Sequence, residues 1–202
     1  LDILNFFYGV EDSWVELHFY TKDNQLLKIQ KIDSLSHINE IDITAEYLGN
    51  INDFGNFYIF HYCTKKSENL VDNNILSNRC YVGYSNNNNL YSFVHGNAHA
   101  KFTGVYNDES IKSDIIRTSL FKNTEYTIQK CFDDFDRSEI FISNPTTKKL
   151  RLSTNNKNYA LGPACTMVLN VEQPIVTVKS NCMFLRPTVF SYKDQYLDVH
   201  HS

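Results

Sequence analysis

Glycine is scarce in this chain: seven among 202 residues, with no two grouped. A loop that wraps phosphate with its backbone needs clustered glycines, so a nucleotide-phosphate loop is excluded. No Gly-x-Ser-x-Gly elbow occurs either, which removes the commonest strand-to-helix nucleophile. The five cysteines, Cys63, Cys80, Cys131, Cys165 and Cys182, are far apart and never form Cys-x-x-Cys. An odd, scattered set reads as buried thiols in a reducing, cytoplasmic setting rather than a disulfide framework. No apolar run approaches the roughly 20 residues that a membrane-crossing helix needs. Charge is thin as well, with 21% Asp, Glu, Lys and Arg and a net charge of −4. No basic stripe stands out, so neither nucleic acid nor a membrane is expected as a partner. The start shows no secretory apolar segment and no initiator Met, and a fragment or processed form is expected.

What is abundant is core-forming material. Hydrophobic residues make up 42% and aromatics 14%, enough to fill a folded interior. Short β-branched and aromatic runs at 14–20, 26–32, 57–62, 79–84, 90–94, 139–143, 150–153, 166–171, 176–179, 185–190 and 196–200 predict strands. Between them stand Lys22-Asp23-Asn24, Asn86 to Asn89, Asn155-Asn156 and Lys193-Asp194. Asn and Asp tolerate left-handed backbone and bond their own main chain, so these are turns. Strands at this spacing imply a sandwich or barrel. Helix is scarce: 34–47 has a mixed spacing that fits one helical turn plus a strand, and the better candidate is 108–121, where Ile111, Ile115, Ile116 and Leu120 fall at helical spacing behind Asp108 or Ser110 as a cap.

Two stretches echo each other. Arg79, Val82, Tyr84-Ser85, then Tyr91, Val94 and His95 match Arg186, Val189, Phe190-Ser191, then Tyr196, Val199 and His200. Gly55 and Gly162 each precede their arginine by 24 positions. The shared order predicts a duplicated unit ending in an antiparallel hairpin. The expected fold is therefore all-β, with two similar sandwich-like modules packed together and a short helical connector. Module A covers 1–106, the connector 107–137 and module B 138–202.

The candidate site is the strand at 93–100. His95 and His99 would stand about 13 Å apart on an extended strand, too far to share one ion. With Asn97 they form a polar row, and Arg79 approaches across the hairpin, opposite Gly96. A guanidinium beside imidazoles holds a carboxylate, phosphate or sugar hydroxyl. Tyr91 and His61 are placed nearby, and Cys80 is expected opposite His95. The acidic group Asp133, Asp134, Asp136 and Glu139 has no calcium-loop spacing and reads as a solvated turn. Tyrosines and Trp14 on sheet faces are suited to stacking on sugar rings, and equally to cross-strand packing.

The reading is a non-catalytic binding or assembly module, for a small molecule, carbohydrate or protein partner, with homo-oligomerisation through strand edges as one form of assembly. No cofactor and no metal are expected. The alternative is an enzyme whose groove carries Arg79, His95, Asn97 and His99.

Overall fold

The computed structural model describes residues 2–4, 13–33, 36, 38–63, 80–86, 90–96, 101–106, 109–114, 116–129, 134–154 and 157–201. Among these residues the chain is all-β, with no helix. In chain order the strands are β1 (Asp2–Leu4), β2 (Ser13–Thr21), β3 (Leu26–Ile32), β4 (Ile38–Glu40), β5 (Gly55–Cys63), β6 (Cys80–Ser85), β7 (Tyr91–His95), β8 (Lys101–Tyr106) and β9 (Glu109–Asp114). They continue as β10 (Thr124–Gln129), β11 (Arg137–Ser143), β12 (Leu150–Thr154), β13 (Lys157–Leu161), β14 (Thr166–Val171), β15 (Ile175–Ser180), β16 (Thr188–Lys193) and β17 (Tyr196–His201).

The later strands form two four-stranded antiparallel sheets, ordered β10-β15-β12-β13 and β14-β11-β16-β17. Period-two alternation decides what faces inward. Ile140 and Ile142 from one sheet meet Leu150, Leu152, Val176 and Val178 from the other, with Ile128, Leu161 and Val189 completing the core. Each fully buried aliphatic side chain contributes roughly 1.5–3 kcal/mol. At the edge of this core Ser138 and Ser191 satisfy each other through their hydroxyls at 2.9 Å.

Earlier in the chain β3-β2-β5 make a three-stranded sheet. Its Val15, Leu17 and Phe19 face one way with Phe57 and Ile59, and Ile41, Ile43, Tyr47 and Leu48 cover them. That cover is an irregular segment and not a second sheet. Its end turns at Gly49 and Asn50, both in the left-handed region. A further sheet runs β4-β1-β6-β7, and β8 pairs with β9 as a ribbon. The turn residues Asn24 and Asp194 also take positive φ, as their side chains allow.

The expected helix at 108–121 is not formed. Residues 109–114 pair with β8 from Lys101↔Asp114 to Tyr106↔Glu109, and 116–121 are irregular. The helical spacing is accidental: Ile116 is buried in the later sandwich, whereas Leu120 is in solvent. Strand pairing with another segment therefore overrides a weak local preference. The stretch read as a connector also supplies β10, which pairs along its whole length with β15. Cys80 and Cys182 are buried and Cys165 half-buried, all as free thiols.

The two halves touch through specific contacts. The Asn56 amide donates to the Ala164 carbonyl at 3.0 Å, and the Thr166 N–H to the Lys22 carbonyl at 2.9 Å. Phe54 packs edge-on against Phe141, 6.1 Å between ring centres.

Candidate functional site

The hairpin of β6 and β7 separates its residues cleanly by face. The pairs Tyr81↔His95, Gly83↔Phe93 and Ser85↔Tyr91 alternate with Val82↔Val94 and Tyr84↔Ser92. Val94 and Cys80 are buried, so by alternation the first set points outward. Tyr81, Phe93 and Tyr91 are 40%, 57% and 55% exposed. Tyr81 lies against the His95 ring at 4.6 Å, and Tyr91 against Phe93 at 5.9 Å. Gly83 has a role here: any Cβ at that position would overlap the Phe93 ring, which lies over the glycine, a known way of covering a strand glycine. The result is an aromatic row with one imidazole, carried on a strand whose other face is core.

Of the residues expected to form a site, Tyr91 and His95 stand on this face, at opposite ends of β7. Arg79, Asn97 and His99 lie outside the described residues. His61 belongs to β5, in a different sheet, where its backbone pairs with Val15. The expected register is off by one residue. Tyr81, not Cys80, sits across from His95, and the Gly96 N–H bonds to the Cys80 carbonyl at 2.6 Å. The shift has a physical cause: turn length sets register, and the turn cannot be counted from sequence.

The inner face of the hairpin seals the edge of β17. The Ser92 hydroxyl accepts the Val199 N–H at 2.9 Å and donates to the Val199 carbonyl at 3.3 Å. An open strand edge invites pairing with another chain, and this serine occupies both backbone groups at one position. Alongside it, His201 donates from Nε2 to the His95 carbonyl. Burial, followed by the nearby charges of Arg186, His95 and His200, holds the His201 pKa below its usual value, partly offset by that hydrogen bond. Tyr84 packs edge-on against Phe190 at 5.0 Å, and burial pushes its hydroxyl up to about 12. Ser92→Ala is expected to speed amide exchange at Val199 roughly ten-fold, since a protected N–H loses its acceptor. Hydrogen-exchange NMR reads this directly, with the Val189 amide in the core as the unaffected reference.

A second group matches no sequence motif. On β2 the alternation Trp14, Glu16, His18, Tyr20 puts four such side chains on the face opposite Val15, Leu17 and Phe19. Glu16 accepts from the Trp14 indole at 3.2 Å and from His18 Nε2 at 2.8 Å. The His18 hydrogen bond is the main cause that lowers the Glu16 pKa. Lys31 and Tyr62 flank Trp14, the lysine 4.8 Å from the ring and Tyr62 stacked at 5.0 Å. On the same face His18 meets Phe60 at 4.6 Å, and burial pushes the Tyr58 hydroxyl up to about 12. Both Glu16 oxygens are engaged, so the group orients an imidazole and an indole more than it offers a free base. The signal that could have found it is the period-two spacing of Trp14, Glu16 and His18 within one strand run.

Among the described residues no set of three His, Cys, Asp or Glu is arranged to hold a metal ion. Compared with known proteins, the chain matches no family model, no curated protein and no solved structure.

Proposed function

We propose that this chain is a non-catalytic binding protein of two β modules that holds a carbohydrate on the outer face of the β6–β7 hairpin. The observation that carries this reading is the exposed row of Tyr81, Phe93 and Tyr91 beside His95. These large rings stand in solvent although the strand already has a buried face. Sugar rings present C–H faces that pack on aromatic rings, while hydroxyls take hydrogen bonds from groups such as His95 and Ser85. A row along a strand, about 13 Å from Tyr91 to His95, suits a chain of sugars better than a single one.

The two-module part of the reading is supported by the pair of hairpins that echo each other in sequence. They pack together through Tyr84 and Phe190, the matching aromatics of the two copies. Their registers differ, since Val94 sits across from Val82 in the first hairpin while the matching Val199 sits across from Phe190 in the second.

Affinity electrophoresis through gels holding soluble β-glucan, xylan or mannan tests the binding. At least one is expected to retard the protein. The double variant Tyr91→Ala/Phe93→Ala should weaken that retardation roughly ten- to hundred-fold, at about 1 kcal/mol for each lost stacking contact. Free migration of the unmodified protein through all of them sinks the carbohydrate reading.

A further inference from the structure

One end of the later sandwich carries a surface that the aromatic hairpin does not explain. The segment entering β10 (116–123) and the one leaving β15 (181–187) are stitched side by side. Thr118 bridges Cys182, the Ser119 N–H donates to the Asn181 carbonyl at 2.7 Å, and the Met183 N–H donates to the Arg117 carbonyl at 2.9 Å. The Ser119 hydroxyl accepts the N–H groups of Phe121 and Lys122 at 3.3 and 2.9 Å and turns the chain. On these anchored segments Leu120, Phe121, Met183 and Phe184 are 77%, 96%, 67% and 51% exposed. Other corners of this protein are built from Asn, Asp and Lys, so four large apolar side chains here are not a requirement of turning.

The charge around them is one-sided. Segments 116–123, 148–151 and 181–187 contain Arg117, Lys122, Lys148, Lys149, Arg151 and Arg186 and no Asp or Glu, in a chain of net charge −4. Arg151 Nη2 donates to the Leu120 carbonyl at 3.4 Å, and the Arg151 and Asn181 backbones are joined, which places Arg151 beside the apolar tips, with Lys148 and Lys149 just before it in the chain. Arg186, in the same stretch, lies near enough to His201 for its charge to act on that imidazole. The nearest acid on β10, Glu125, is paired with Lys179 at 3.4 Å.

We propose that this tip docks on the surface of a bilayer containing anionic lipid. Its four apolar side chains enter the interfacial layer, and the basic collar meets the headgroup phosphates. The whole-chain charge, which argues against such a partner, averages away this local excess. A second copy docking tip to tip would bring like charges together, so the collar favours an anionic surface over self-association.

Flotation with phosphatidylcholine vesicles, with and without about a third phosphatidylserine, tests this. The chain is expected to float with the anionic vesicles and to lose roughly ten-fold or more in binding when they are neutral or when salt is raised. Leu120→Ser/Phe121→Ser and, separately, Lys122→Glu/Arg151→Glu should each cause a loss of that size, with circular dichroism unchanged because all four side chains are at the surface. Absence of flotation with anionic vesicles overturns the proposal. So does flotation that both variants leave intact, or a serine variant that changes only the sedimentation of the protein itself, which would assign the tip to a second copy.

Discussion

Replacing Asn144 with alanine is expected to destabilise the later sandwich by about 3 kcal/mol or more, among the largest effects any polar substitution has in this chain. Asn144 is fully buried, between β11 and β12. Its amide donates to the carbonyls of Lys148 at 2.8 Å, Leu161 at 3.1 Å and Gly162 at 2.7 Å. Its carbonyl oxygen accepts both the N–H and the hydroxyl of Thr146, at 2.9 and 2.8 Å. One side chain thus satisfies backbone groups from two connections, and a buried group left without a partner costs roughly 1–3 kcal/mol. Asn144→Asp is expected to be worse still, because it puts a carboxylate against three carbonyl oxygens in a space sized for an amide. Urea unfolding followed by tyrosine fluorescence and by circular dichroism measures both. A cost under about 1 kcal/mol for Asn144→Ala would show that water replaces the amide.

Gly55→Ala is expected to cost roughly 1–3 kcal/mol, and for a different reason. Gly55 pairs with Thr21 where β2 and β5 end, and a Cβ there would overlap the carbonyl oxygen of Tyr20. The obstacle is backbone within the same sheet, so neither partner can yield without breaking the pairing. The next residue, Asn56, makes the hydrogen bond to Ala164 that joins the two halves. The disturbance should therefore reach that contact as well. Gly49→Ala is the informative control. Its Cβ meets nothing within 4 Å, so only the left-handed backbone is penalised. That penalty is about 1–2 kcal/mol. Thermal unfolding should show Gly55→Ala melting below Gly49→Ala, and NMR should show the Ala164 carbonyl carbon moving from its native shift. The opposite order would mean that the sheet end relaxes freely.

The strand reading was legible wherever β-branched and aromatic residues were dense and bounded by Asn or Asp. Segments 26–32 and 166–171 coincide with β3 and β14, and the others fall within a few residues of a strand. Of the strands that were not expected, β1 and β4 are three residues long and β9 and β13 are rich in Lys, Glu, Ser and Asn, whereas β8 and β10 do carry β-branched and aromatic residues. They become strands through their neighbours, as β10 does along β15 and β13 along β12. The aromatic hairpin was partly legible: its strands and the outward His95 followed from alternation. Which residues stand across from each other did not, since a one-residue change in the turn moves every pair.

By itself the sequence determined that this protein is built of strands, where most of them run, and where its Asn and Asp turns lie. Those properties depend on side-chain type and on the two-residue period, both local. Only the tertiary structure decided that 109–114 is a strand and not a helix, that Asn144 ties two connections together, and that Ser92 closes the edge of β17. It also decided that Leu120 and Phe121 stand beside Arg151. Most of these depend on contacts between residues far apart in the chain, and no local pattern carries the register that brings them together.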